Sequence, residues 1–307
     1  MFDQSLESSS LQPVPSIGVP ALVVSGFLGA GKTTLIRHLL HEAQACGYRM
    51  AVVSNEFGEL GIDKAIFGQE SNAHYVELEG GCVCCQLSNE LLTTLHDLWK
   101  LHNPDRIIVE TSGVALPFET LVTFWREPVV HWVGEALAVV VVNAEQFVEG
   151  RDIEGTTEQQ ISSADLLVVN KIDLVTEKAV RRVESMLADM APGTPILHSV
   201  NGKVDSAILF PPHPDDEGRL NVRKKRDIIP HTHEQFVAEE IIIKSGISKD
   251  SLILQLQKLI ALRVKGVVRT SEGIWLVQGV GSRIQLVSPP RDLPKNLIGR
   301  IVAIRRI

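Results

Sequence analysis

Hydrophobic and polar positions along this chain form short apolar runs that alternate with segments of helical spacing. Six such runs precede residue 200, and each is rich in Val, Ile, Leu or Ala. Continuous apolar strands separated by helices are typical of a parallel sheet that is covered on both faces. The predicted strands are ALVVS (21–25), MAVVSN (50–55), RIIVET (106–111), ALAVVVVN (136–143), DLLVVN (165–170) and TPILHS (194–199).

The pattern changes near residue 210. Segment 211–232 is rich in proline, histidine and charge and has no sustained period, so it is predicted to be a linker or an exposed loop. Strand-like runs then flank a segment of helical spacing, KDSLILQLQKLI, which predicts a smaller α+β domain. The expected organisation is a flexible tail at 1–19, an α/β domain at 20–210, a linker at 211–232 and an α+β domain at 233–307.

Composition and charge exclude several classes of protein. The net charge of the 307 residues is −7 and no basic stripe is present, which argues against nucleic-acid binding. No apolar run reaches the roughly 18 residues that a membrane helix needs, and the N-terminus lacks the features of a secretory signal. Three of the four cysteines lie within residues 82–85, which favours metal or redox chemistry in a reducing cytoplasm over disulfides.

The sequence GFLGAGKT, residues 26–33, matches the phosphate-binding pattern G-x-x-x-x-G-K-[ST]. A predicted strand precedes it and an amphipathic helix follows, which predicts a P-loop NTPase fold whose backbone N–H groups and helix N-terminus hold phosphate. Lys32 is expected to reach the terminal phosphates as a catalytic group, and the Thr33 hydroxyl to ligate Mg²⁺. The predicted nucleotide contacts in this segment are Gly26, Gly29, Ala30, Gly31, Lys32, Thr33 and Thr34.

A second motif, VVNKIDL, predicts which base is bound. It carries an N-K-x-D spacing at Asn170, Lys171 and Asp173. A carboxylate at Asp173 can accept hydrogen bonds from both the N1–H and the N2–H₂ of guanine, whereas adenine offers no such donor pair. Asn170 is expected to brace the loop, the Lys171 stem to lie along the base, and Ser199 to close over it. GTP and GDP are the predicted nucleotides, and a kinase or ATPase without guanine preference is the alternative.

Two acidic segments follow predicted strands. Glu110 ends a buried strand, where a carboxylate can hold the Mg²⁺ shell, directly or through water, or orient the attacking water as a catalytic group. In SNEFGELGIDK (54–64), Glu56 and Glu59 suit a switch segment near Mg²⁺ or another metal. The alternative for the second segment is a solvated acidic loop.

The motifs GFLGAGKTTL, NEFGE, GGCVCC, ETSG and NKID occur in this order. Together they resemble the CobW family of P-loop GTPases, relatives of the nickel-insertion GTPases of urease and hydrogenase, from about residue 20 onward. The resemblance implies a cytoplasmic metallochaperone that couples GTP hydrolysis to handling of Zn²⁺ or Co²⁺ for a client metalloprotein or cofactor-assembly enzyme. Related insertases often dimerise across the nucleotide face, which implies a nucleotide-dependent homodimer. Intrinsic hydrolysis is expected to be slow, because neither Arg37 nor Arg126 can be assigned as an arginine finger.

The cysteine cluster supplies three soft thiolates, Cys82, Cys84 and Cys85, which select thiophilic ions such as Zn²⁺ over Mg²⁺. Three sulfurs leave the fourth position of a tetrahedral site to water, another side chain or a partner, and such an open site can release its metal. The alternative function is a regulatory GTPase that binds a partner protein and whose cysteines are structural.

Two positions depart from the pattern of the family that the chain resembles. Ser54 stands where relatives commonly have glutamate, which leaves the fourth metal ligand open, and Asn143 stands where they often have aspartate. Three histidines outside the motifs are weaker candidate metal ligands, because surface histidines are common: His213, His231 and His233.

Overall fold

The computed structural model describes residues 18–54, 73–77, 84–150, 155–210, 236–289 and 298–306. The part of the structure before residue 211 is built on a parallel sheet. Its strands are β1 (Val19–Ser25), β2 (Met50–Ser54), β3 (Ala73–Glu77), β4 (Arg106–Glu110), β5 (Val133–Asn143), β6 (Leu166–Asn170) and β7 (Ile196–His198). The strand order is β3-β2-β4-β1-β5-β6-β7, and every neighbouring pair is parallel.

Helices cover both faces of this sheet. They are α1 (Lys32–Ala45), α2 (Cys84–His102), α3 (Pro117–Phe124), α4 (Ala144–Val148), α5 (Thr156–Ser162), α6 (Glu177–Met190) and α7 (Ser206–Leu209). On β1, Leu22 joins the core that includes α1, whereas Val23 faces the other core, which includes Leu95 of α2. Because both faces are covered, the central strands are apolar at consecutive positions.

The second sheet is antiparallel. It consists of β8 (Phe236–Ile242), β9 (Arg263–Thr270), β10 (Gly273–Val280), β11 (Arg283–Val287) and β12 (Arg300–Arg306), in the order β11-β10-β9-β12-β8. One helix, α8 (Lys249–Gln257), packs Leu252 and Leu256 into a core with Val264 and Val268.

A buried ion-pair cluster joins the two sheets. The Nη2 atom of Arg263 lies 2.8 Å from Glu135 Oε1, and Lys265 Nζ lies 3.7 Å from Glu135 Oε2. Burial lowers the pKa of both Arg263 and Lys265, and the Glu135 carboxylate raises it in part. Glu135 lies near the start of β5, so the second sheet is fixed at the end of that strand far from Asn143.

The predicted fold class is confirmed, but one strand of the parallel sheet was not predicted. The sequence of β3, AHYVE, mixes polar and apolar residues, and the strand lies at the sheet edge, where it pairs with β2 alone. The predicted domain boundaries remain predictions, because the whole linker at 211–232 and residues 1–17 of the tail lie outside the described residues. Within the described ranges, each helix is too short or too polar to cross a membrane.

Candidate functional site

The loop between β1 and α1 has a backbone shape that requires glycine. Gly26 has a φ of +137°, and a Cβ placed there would lie 2.2 Å from Val141 O in β5. Gly31 has a φ of +102°, and a Cβ there would lie 2.3 Å from Asn170 Nδ2. Both values lie in the region that side chains disfavour, so the sequence places glycine where the chain turns closely around its neighbours.

The start of α1 is suited to bind an anion. Gly31 is the N-cap residue, and no side chain caps the helix there. The first N–H groups of a helix lack partners within it and carry partial positive charge, so they can bind phosphate. Lys32, the first residue of α1, is 3% exposed, whereas Thr34 is exposed to solvent. A phosphate group with a lysine beside it therefore fits this loop.

Glu110 connects the phosphate loop to β2. Its Oε1 accepts a 2.8 Å hydrogen bond from Thr33 Oγ1, and its Oε2 accepts one of 3.2 Å from Ser54 Oγ. Glu110 is 2% exposed and Ser54 is 3% exposed. A hydroxyl and a carboxylate oxygen therefore meet beside the phosphate loop, and oxygen donors of this kind are what Mg²⁺ prefers.

The loop that follows β4, residues 111–116, lies against the phosphate loop. Thr111 N donates to Val24 O at 3.0 Å, and Ser25 Oγ donates to Ala115 O at 3.3 Å. A Cβ at Gly113 would lie 2.8 Å from the Leu28 side chain and 3.0 Å from Leu28 N. The absence of a side chain at Gly113 thus allows the two loops to touch.

Sequence reasoning missed two glutamines that hold these loops. Gln160 Nε2, from α5, donates to Gly113 O at 3.2 Å and to Ala115 O at 2.9 Å. Gln146 Nε2, from α4, donates to Leu28 O at 3.2 Å. Neither residue belongs to a phosphate or base motif, and the partners are distant in sequence, so the sequence contains no local signal for these contacts.

Asn170 links the phosphate loop to the loop after β7. Its Nδ2 donates to Ala30 O and its Oδ1 accepts from Gly202 N, both at 3.0 Å, and the side chain is 2% exposed. Its neighbour in register on β5, Asn143, accepts from Glu145 N and so caps α4. Asn170 therefore braces the phosphate loop against the loop that follows β7.

The remaining residues of the N-K-x-D motif lie at the surface. Lys171 has a φ of +62°, and Asp173 lies in a 3₁₀ turn, Ile172–Leu174, where it is exposed. Ser199 is fully buried, its Oγ donates to Lys203 O at 3.1 Å, and its carbonyl accepts from Ile172 N. The Ser199 side chain thus supports the loop, while the Asp173 carboxylate is open to a ligand.

The described residues show only part of the predicted metal site. Cys84 and Cys85 are the first residues of α2. In the described ranges, no group of three or more His, Cys, Asp or Glu is arranged to hold a metal ion. The other predicted ligands lie outside these ranges: Cys82, Glu56, Glu59, His213, His231 and His233.

The strand register shows where the chain leads into these segments. Ser54, the last residue of β2, is in register with Glu110 on one side and with Glu77, the last residue of β3, on the other. The chain leaves β2 toward Glu56 and Glu59, and it leaves β3 toward Cys82. Both segments therefore start at the carboxyl-terminal ends of the strands, on the side of the sheet where Glu110 meets the phosphate loop.

Comparisons with known proteins show which proteins this chain resembles. The family model described as "CobW/HypB/UreG, nucleotide-binding domain" matches residues 20–198. A zinc chaperone CobW of Sinorhizobium sp. is 32% identical over 307 aligned positions, which cover 87% of this chain and 86% of the relative. A zinc-regulated GTPase metalloprotein activator 1 of Schizosaccharomyces pombe is 30% identical, and the alignment covers 64% of this chain and 48% of that relative.

Among solved structures, the Zn(II)-bound YjiA GTPase from E. coli aligns over 94% of both chains at 21% identity, with a TM-score of 0.49. The chain is assigned to a family on two grounds: the family model matches most of the part before residue 211, and the alignment with the CobW relative covers most of both chains. With its phosphate loop, its acidic residue at the end of β4 and its N-K-x-D loop in one site, this chain is a GTPase that belongs to the CobW/HypB/UreG family.

Proposed function

We propose that this GTPase couples GTP hydrolysis to the binding and transfer of a thiophilic transition metal ion, with zinc or cobalt as cargo. Lys32 would contact the terminal phosphates, and Thr33 and Glu110 would hold Mg²⁺, whose charge offsets that of the phosphates. Asp173 would recognise guanine. The recipient would be a client metalloprotein or a cofactor-assembly enzyme.

The contact that carries this proposal is the double hydrogen bond of Glu110. One carboxylate oxygen binds Thr33 of the phosphate loop, and the other binds Ser54 at the end of β2. A change at the phosphate loop that moves Glu110 would therefore also act on Ser54, and coupling between two sites needs such a connected element. Ser54 directly precedes the segment that holds Glu56 and Glu59.

The proposed metal ligands are the thiolates of Cys82, Cys84 and Cys85, with Glu56 and Glu59 as candidate oxygen ligands. Thiolates bind zinc and other soft ions strongly and must remain reduced, so the proposal places the protein in the cytoplasm. The names of the curated relatives support zinc as the cargo. The nucleotide face, which carries the phosphate loop, is the proposed contact in a GTP-dependent homodimer.

A zinc titration tests the coupling of metal to nucleotide. We expect the protein to bind about one zinc ion per chain, and GTP to change its affinity by about 5–150-fold relative to GDP. Cys84→Ser removes one of the three thiolates and should weaken zinc binding by at least about 100-fold, because the neutral hydroxyl of serine is a much poorer zinc ligand than a thiolate. Competition with a chromophoric chelator, in a nonhydrolysable GTP analogue and in GDP, measures both effects.

Cys46→Ser is the matched control. Cys46 is partly buried and packs against the core below α1, so this variant should keep wild-type zinc affinity. Zinc affinity that is the same in both nucleotides and in the Cys84→Ser protein would contradict the proposal. Together with GTP turnover that zinc does not change, it would instead favour a regulatory GTPase.

A separate prediction concerns the base. In Asp173→Asn, an NH₂ group takes the place of one carboxylate oxygen. A donor then faces the N1–H and N2–H₂ donors of guanine, where an acceptor is needed. We expect GTP affinity to fall by at least about 100-fold and xanthosine triphosphate to become the preferred ligand, because a site built around hydrogen bonds discriminates strongly when one is lost. Equilibrium binding of GTP and xanthosine triphosphate to both proteins measures the change.

Glu177→Gln serves as the control for this prediction. Glu177 is an exposed acid at the start of α6, close to the motif in sequence, and it pairs with Arg181 on the same helix. Its substitution should leave both affinities unchanged. If Asp173→Asn kept wild-type GTP affinity and base preference, the assignment of Asp173 to guanine would be wrong.

A further inference from the structure

Gln160 makes a pair of contacts that requires a primary amide. Its Nε2 donates to two backbone carbonyl oxygens, Gly113 O at 3.2 Å and Ala115 O at 2.9 Å, and the side chain is fully buried. A side-chain NH₂ group carries two hydrogens, whereas a carboxylate has none to donate. These two carbonyls flank Val114, so one side chain fixes the middle of the loop at 111–116.

Gln146 holds the phosphate-loop side of the contact between the two loops. Its Nε2 donates to Leu28 O at 3.2 Å, and the Leu28 side chain and backbone lie directly over Gly113. The two glutamines come from α5 and α4, which flank this part of the site. The loop at 111–116 and the phosphate loop are therefore each tied to a helix at the point where they touch.

The acceptor atom of the Gln160 amide has a different environment. Gln160 Oε1 and Thr157 Oγ1 have no hydrogen-bond partner within the described part of the chain. Both residues line a cavity of about 10 Å³ next to Gln146 and Ala30, which is room for a single water molecule. The chain thus uses the donor side of this amide, and a substitution that removes the two N–H groups removes its role.

We propose that Gln160 and Gln146 are positioning residues for GTP hydrolysis, and that they hold the loop at 111–116 against the phosphate loop. This loop directly follows Glu110, which contacts Thr33, so it lies at the phosphate end of the site. GDP lacks the terminal phosphate, so its binding depends on the phosphate loop and on the N-K-x-D loop that recognises the base. A displaced 111–116 loop should therefore affect GTP hydrolysis and leave GDP binding intact, because reaction rates depend strongly on small changes in geometry.

Gln160→Met tests the proposal, since methionine keeps the length and burial of the side chain and removes both hydrogen bonds. We expect kcat for GTP hydrolysis to fall by about 10-fold or more, while GDP affinity stays within about 3-fold of wild type. Gln159→Met is the matched control, because Gln159 is the exposed neighbour on the same helix, and it should behave as wild type. Single-turnover hydrolysis and GDP titration provide the two measurements.

Gln146→Met gives a second test at a half-buried position, where loss of folding is not expected. It should lower kcat as well, and the double variant should lose less than the product of the two single effects, since both act on one contact. Unchanged kcat in Gln146→Met and in folded Gln160→Met would overturn the proposal. Equal losses of kcat and GDP affinity would also overturn it, because they indicate a purely structural role.

Discussion

A Gly26→Ala variant is expected to bind neither GTP nor GDP measurably and to unfold at a lower temperature than the wild type. The added Cβ would lie 2.2 Å from Val141 O, and the φ of +137° is one that alanine strongly disfavours. Val141 belongs to β5, an interior strand paired with β1 and β6, so the strand cannot move away without breaking the core. We expect a loss of about 3 kcal/mol or more, from backbone strain together with displacement of the phosphate loop.

Gly47→Ala is the control for this prediction. Gly47 also has a positive φ, +73°, but a Cβ there meets nothing within 4 Å. It should cost only about 1–2 kcal/mol, the penalty of the left-handed conformation, and leave nucleotide affinity unchanged. Thermal unfolding and GDP titration compare the two proteins. Wild-type nucleotide affinity in Gly26→Ala would show that the phosphate loop does not need the observed backbone conformation.

Glu110→Gln is expected to reduce GTP hydrolysis by about 10²–10³-fold, while the protein remains folded. Glutamine has nearly the same shape, so it can still accept from one hydroxyl and its NH₂ group can donate to the other. It carries no charge, however, and its single carboxamide oxygen cannot serve a hydroxyl and a cation as a carboxylate does. Hydrolysis measured across a range of Mg²⁺ concentrations should show that the variant needs more Mg²⁺ than the wild type.

The control for Glu110→Gln is Glu119→Gln. Glu119 is an exposed acid in the first turn of α3, nine residues further along the chain. Its loss should change neither the rate nor the Mg²⁺ requirement. A Glu110→Gln protein with a rate and a Mg²⁺ requirement like those of the control would rule out Glu110 as the magnesium-associated carboxylate.

The parts of the fold that could be predicted from sequence are those with local causes. The central strands are continuous apolar runs, and the phosphate loop requires glycines at fixed spacing, so both are visible in a short window. β3 was missed because an edge strand is covered less completely and therefore tolerates polar residues. The run GVVRT (266–270) predicts only the later part of β9. Arg263 and Lys265 suggest a surface loop until Glu135, more than a hundred residues earlier, is placed beside them.

In the candidate site, too, residues that belong to a local motif could be predicted, and residues whose partners are distant in sequence could not. Residues with a motif, such as Lys32, Thr33 and Asp173, were named from their spacing. Gln160 and Gln146 were missed because their partners lie 47 and 118 residues away, and a buried glutamine on a short helix has no sequence signature. The bond from Ser54 to Glu110 was missed for a related reason: it depends on the register of two parallel strands, which the sequence alone does not fix.

The bonds of Asn170 have a consequence for how the protein distinguishes its two nucleotides. Because its amide ties Ala30 of the phosphate loop to Gly202 beside the base loop, the loops proposed to bind the part common to GTP and GDP are joined to each other. These loops would meet the same ligand atoms before and after hydrolysis. The loss of the terminal phosphate would act on the groups proposed to sense it, Lys32, Thr33 and Glu110. Glu110 is in register with Ser54, and Ser54 with Glu77, the residue from which the chain continues toward the cysteines.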